Sequence, residues 1–111
     1  LNKPKTPREL RQYIPLVYSS MREIARYGDY ESALKWAEEG MYYSKDGSFS
    51  AFASLLSHHL EREEISCLYA EGVREKKVRL DMRAKKLGES MERICRGMGE
   101  KKDNIVIWEY L

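Results

Sequence analysis

Proline occurs three times in this 111-residue chain, at Pro4, Pro7 and Pro15, and nowhere after that. Inside a helix proline removes a backbone hydrogen bond and clashes with the preceding turn. From Leu16 onward no residue of that kind forbids a helix, so the apolar period decides the fold. Thr6-Pro7-Arg8-Glu9 reads as a start signal. Thr6 can cap, Pro7 suits the first helical position, and Glu9 can close a capping box. Leu10, Ile14, Val17, Met21, Ile24 and Ala25 then keep a helical spacing to about Tyr27. Pro15 is expected to kink or divide this helix near Ile14.

Gly28-Asp29 follows, a helix stop joined to a helix start. Tyr30, Ala33, Leu34, Ala37 and Met41 mark the inner face of a second helix that ends before the turn pair Asp46-Gly47. Ser48 or Ser50 is the expected cap of a third helix, which opens with Phe49, Phe52, Leu55 and Leu56. Gly72 and Gly88 weaken the helical run from 50 to 98 without having to break it. Val73, Leu80, Leu87 and Ile94 recur every seven residues, Ala84, Met91 and Met98 fall between them, and Lys77 takes the remaining seam position. That is a heptad. Whether 50–98 is one rod or a hairpin broken at Gly72 stays open. The final Asn104-Ile-Val-Ile-Trp-Glu-Tyr-Leu111 shifts to β-branched and aromatic residues, as a short strand or a docking apolar tail would.

The expected fold is therefore all-α. It is a helical hairpin plus a long heptad-bearing helix or helix pair, forming a small bundle with a short apolar C-terminal tail. One domain over 1–111 suits this length, and a start at Leu1 fits a trimmed chain or a piece of a longer protein. Apolar residues make up 42% and charged ones 34%, which excludes both disorder and a membrane class. The longest uncharged stretch, Gly47 to Leu60, holds serines and histidines and is too short to span a bilayer. Cys67 and Cys95 form no CxxC pair and read as buried, reduced thiols of a cytoplasmic protein; a disulfide between them is the alternative. Asn occurs twice, Gln once and Thr once amid abundant Lys, Arg and Glu, the lean of a heat-adapted protein.

Gly28-Asp29-Tyr30 followed by Ala33 resembles the elbow of a tetratricopeptide repeat, over residues 17–44. The resemblance implies two closely packed antiparallel helices and a peptide- or protein-binding role. Val17, Ser20-Met21 and Ile24 stand where that family carries a Trp, Leu-Gly and Tyr pattern. Ala37 replaces a large aromatic, and no proline closes the second arm. A plain αα-hairpin explains the same residues. Thirty-four residues past Gly28 lies Arg62, with no second Gly-Asp near it.

Function is expected from surfaces rather than from chemistry. Tyr13, Tyr18, Tyr27, Tyr30, Tyr42, Tyr43 and Trp36 crowd the first 43 residues. Such aromatics fill cores and also suit binding surfaces. Tyr30, Trp36, Tyr42 and Tyr43 are the candidate partner contacts. Leu80, Leu87, Met91 and Ile94 are the candidate self-association seam of a homo-oligomer. Residues 74–86 hold seven basic and two acidic side chains, a local +5, whereas Glu61–Glu71 sums to −3. The row Lys76, Arg79, Arg83, Lys86 is the candidate phosphate-tracking face of a nucleic-acid-associated protein. The competing account is a solvated face, or one that pairs with the acidic segment of another helix or subunit. His59 and Glu63 stand four apart, and Glu61-x-x-Glu64 resembles the first magnesium motif of all-helical nucleotide pyrophosphohydrolases. The second motif would be Glu100-x-x-Asp103, where the helical pattern fails. No nucleophile elbow or phosphate loop exists, so no enzyme, cofactor or metal is expected. The reading is a non-catalytic protein–protein interaction or assembly module.

Overall fold

A computed structural model of the chain describes residues 2–97 and 110–111. It forms five helices: α1 (Pro7–Arg26), α2 (Tyr30–Tyr43), α3 (Gly47–His59), α4 (Glu63–Arg74) and α5 (Arg83–Cys95). No strand occurs among the described residues. Met98 of the heptad and residues 104–109 of the apolar tail lie outside the described residues.

The start of α1 follows its local chemistry. Thr6 Oγ1 accepts the Glu9 amide at 3.1 Å, and the Glu9 carboxylate accepts the Lys5 amide at 2.7 Å. The expected division at Pro15 does not occur, because α1 runs unbroken through it. Pro15 and Arg11 both face solvent, so water can satisfy the carbonyl that lacks a donor. At the elbow Gly28 takes φ +86° and Asp29 accepts the Ser32 amide at 3.1 Å. The arms are antiparallel: Tyr13, early in α1, meets Tyr43 at the end of α2 with ring centroids 5.4 Å apart.

The third helix starts on Asp46 rather than on Ser48 or Ser50. One Asp46 oxygen accepts the Ser48 amide at 2.9 Å, and the hydroxyls of Ser48 and Ser50 are used elsewhere. Every residue of α3 from Gly47 to His58 is buried. This helix is the centre of the molecule: α2, α4 and α5 pack directly on it, and Tyr18 of α1 lays its ring edge-on against Phe49 and Phe52. Its small residues permit that crowding. Gly40 of α2 lies so close to the Phe49 ring that a β-carbon there would overlap it. Ser54 and Ser66 lock α3 to α4 reciprocally, each hydroxyl donating to the other's carbonyl at 2.8 Å. Buried hydroxyls need such partners.

The run from 50 to 98 is neither one rod nor a hairpin broken at Gly72. It breaks first at Leu60–Arg62, where Glu61 takes φ +60°, and again between Arg74 and Arg83. Gly72 stays within α4. The cause of the second break is tertiary. The free oxygen of Asp46 accepts the amides of Arg79 and Leu80 at 3.1 and 2.8 Å, and the Lys77 carbonyl accepts the Gly47 amide at 2.8 Å. These backbone groups are thereby withdrawn from a helical ladder.

The second elbow sits 33 residues after the first, from Gly28 to Glu61, and the helix ends that flank it, His59 and Glu63, lie at the same offset from Arg26 and Tyr30. The small buried residues Ala33 and Ala37 find counterparts in Ser66 and Ala70, equally buried. The chain thus stacks two helical hairpins and a fifth helix. Two further ties close it. Cys67 of α4 and Cys95 of α5 form a disulfide with their Cα atoms 5.6 Å apart, which corrects the expectation of reduced thiols. The packing of α4 on α5 brings them together. On the other flank Leu111 is buried, and its carbonyl accepts Arg22 at 2.6 Å and the Arg26 Nε at 2.8 Å.

Candidate interaction surfaces

The heptad is spent inside the molecule. Leu87 and Met91 are wholly buried, and Leu80 and Ile94 are half-buried against the same core. Only Leu87, Met91 and Ile94 share a helix; Leu80 lies in the link before α5. A seam through these four residues is not a surface of the folded chain. The sequence period was that of ordinary core facing α3 and α4, for which bundle and coiled-coil patterns coincide.

The candidate aromatic contacts are dispersed. Tyr42 is 80% exposed and stacks edge-on against the half-buried Tyr43, which in turn meets Tyr13. Lys3 lies over the Tyr43 ring and pairs with Glu39, whose carboxylate also accepts the Tyr13 hydroxyl at 2.7 Å. Burial, and then the bond to Glu39, push the Tyr13 hydroxyl up from its ordinary value, while the bonds from Lys3 and Tyr13 hold Glu39 down. Tyr30 sits at the other end of α2, half-buried beside His59. That is about 20 Å from Tyr43 at 1.5 Å per helical residue. Trp36 lies between them in a shallow cleft with Ser20 and Ile24. Of the four residues, only Tyr42 and Tyr43 form one surface.

The basic row is also rearranged. Lys76 and Arg79 lie in the irregular link, so the helical spacing that aligned them with Arg83 and Lys86 does not apply. Lys76 Nζ donates to Ser50 at 2.7 Å, and Arg83 is held by Asp81. Lys86 is exposed on α5. Instead, Lys76, Lys77, Arg79, Arg74 and Lys85 gather around a cleft of about 480 Å³ between α4, the link and α5. Val73, Val78, Met82 and Gly88 form its apolar side; Arg74 pairs with Glu92 at its edge. Lys77, Arg79 and Lys85 make no side-chain ion pair among the described residues. Charge periodicity could not reveal this cleft, because it depends on Asp46 holding the link.

The link owes its shape to Asp81 as well. Its carboxylate accepts the Tyr18 hydroxyl at 2.5 Å and three bonds from Arg83, two from the guanidinium and one from the amide. Burial pushes this carboxyl up, but the bonds from Arg83 and Tyr18 overcome it and hold it at about 2. Burial, then Asp81, push the Tyr18 hydroxyl far above its ordinary value. A carboxyl lowered in this way stabilises the fold above the unfolded value near 4 and loses that contribution as pH falls from about 4 to 2. Asp81→Asn should cost about 1–2 kcal/mol at pH 7 and should flatten the fall of melting temperature over that acid window. Thermal melts of both proteins from pH 7 to 2 check this.

A third surface went unnoticed in the sequence. Ile65 and Leu68 on α4 are 41% and 67% exposed, side by side at helical spacing. Glu64 and Glu71 flank them on the same outer stripe of α4, with exposed Glu61 in the elbow just before it; the stripe also holds Gly72, where a β-carbon would meet nothing. The heptad reading drew attention to the buried side of this segment; Ile65 and Leu68 fall off that register.

His58 Nδ1 lies 3.2 Å from Glu63, Glu61 forms the elbow, and Glu100–Asp103 lies outside the described residues. No group of three or more potential metal ligands occurs among the described residues. No helix among them is long and apolar enough to cross a membrane. No family model, curated protein or solved structure matches the chain.

Proposed function

We propose that the chain is a non-catalytic protein–protein interaction and assembly module that self-associates. The observation that carries this reading is the outer face of α4, where Ile65 and Leu68 stand exposed, left uncovered by the other described residues. Adjacent apolar side chains on one helix face mark contact sites. Tyr42 and Tyr43 offer a second, aromatic contact for a different partner. The two elbows 33 residues apart support the likeness to tetratricopeptide hairpins, whose stacked units serve as binding scaffolds. A cytoplasmic location accords with a disulfide in heat-adapted organisms, whose intracellular proteins carry them, and the amide-poor composition leans the same way.

Light scattering at low and high salt tests the assembly. A mass that rises above the monomer's 13.1 kDa with concentration is the expected result; a monomer under every condition overturns it. The basic cleft supports the second reading, binding of nucleic-acid phosphates through Lys76 and Arg79; Arg83 and Lys86, the other members of the expected row, lie outside its lining. On that reading, affinity for an oligonucleotide falls steeply as salt rises.

A further inference from the structure

We infer that the α4 stripe of one copy docks into the basic cleft of a second copy, head to tail; this rests on the assembly reading above. Each surface supplies what the other lacks. The stripe presents two exposed apolar side chains, Ile65 and Leu68, between exposed acids. The cleft presents apolar walls at Val78 and Met82, the latter 66% exposed, beneath Lys77, Arg79 and Lys85. Arg62, beside the stripe, is engaged with Glu31 at 2.6 Å and does not oppose the pairing. Gly72 leaves bare backbone at the end of the stripe, so the rim of a partner can approach closely.

The contact has to be made between molecules. The stripe occupies α4 up to Gly72, and the cleft begins at Val73 on the same helix. A single rigid helix cannot bend its own outer face into a cleft at its own end. The two surfaces differ, so the association is heterologous, and it propagates into a ring or an open chain rather than stopping at a two-fold dimer. Opposite charges at the rim also make it sensitive to salt.

The test uses two variants that each remove one surface. Ile65→Ser with Leu68→Ser disables the stripe; Lys77→Glu with Lys85→Glu disables the cleft. All four side chains are partly or well exposed, and circular dichroism with thermal melts checks that both variants fold. Wild type should grow in mass with concentration at 50 mM salt and weaken at least tenfold at 500 mM, as screening of rim charges requires. Each variant alone should remain monomeric. Mixed one to one, they should form a complex of two chains and no larger, because only one functional junction is left. Variants that assemble like wild type overturn this assignment of surfaces while the assembly reading stands. A wild type that stays monomeric at every salt overturns both. A mixture that forms no complex, or one beyond two chains, overturns the head-to-tail geometry. If a 20-nucleotide single strand binds wild type but not the Lys77→Glu, Lys85→Glu variant, and self-association is absent, the cleft belongs to phosphates instead.

Discussion

Gly40→Ala is expected to destabilise the protein by about 3 kcal/mol, although alanine ordinarily favours a helix by about 1 kcal/mol over glycine. The reversal comes from Phe49. Its ring lies where the new methyl group would be placed, and it has little room to retreat, being wholly buried with Tyr18 edge-on against it. Overpacking of this kind pushes helices apart or forces side chains off their rotamers. The cost should lower the melting temperature by roughly 10–20 °C for a domain of this size. The cause can be isolated. Phe49→Leu destabilises by itself, but in that background the same Gly40→Ala change should cost less than about 1 kcal/mol, because neighbours in contact are not additive. Thermal melts of the four proteins give the coupling. Equal costs in both backgrounds would refute the close approach of α2 and α3 at this point.

Reducing the Cys67–Cys95 bond is the second large effect. The bond joins residues 28 apart in sequence, and the loss of that cross-link should lower stability by about 3.5 kcal/mol through the entropy of the unfolded chain. Cys67→Ser with Cys95→Ser should reproduce the loss and remove the difference between melts with and without reductant. The intact native protein should react with no thiol reagent until reduced. Two reactive thiols in the native protein, with melts indifferent to reductant, would contradict the bond.

What the sequence displayed was the local chemistry. Thr6, Pro7 and Glu9 set the start of α1, and Gly28-Asp29 set the first elbow, because those signals act within four residues. The second elbow was hidden by its residue type. Glu61 adopts a left-handed conformation that a non-glycine residue takes only at some cost, so no glycine marks the turn. The offset pairs Ala33/Ser66 and Ala37/Ala70 carried the only legible trace of it. The second break was beyond local reading altogether, since Asp46 holds amides more than 30 residues away. That one carboxylate turns a smooth heptad into two helices and a link. It also converts a supposed row of cations into a cleft, so the candidate site changed with the fold. The apolar period, expected to be a self-association seam, instead packs within the chain, where α5 lies on α3 and α4.

The hold of Arg22 and Arg26 on Leu111 also has a temporal side. On a growing chain those arginines are made 85 or more residues before the carbonyl they grip. The helix that carries them can form within microseconds of its synthesis, yet this contact waits until Leu111 has been made. The thermodynamic charge for closing so long a loop is small, since each doubling of length adds only about 0.6 kcal/mol. The delay therefore lies in the order of events: this flank of α1 closes only after α2 to α5 have been made.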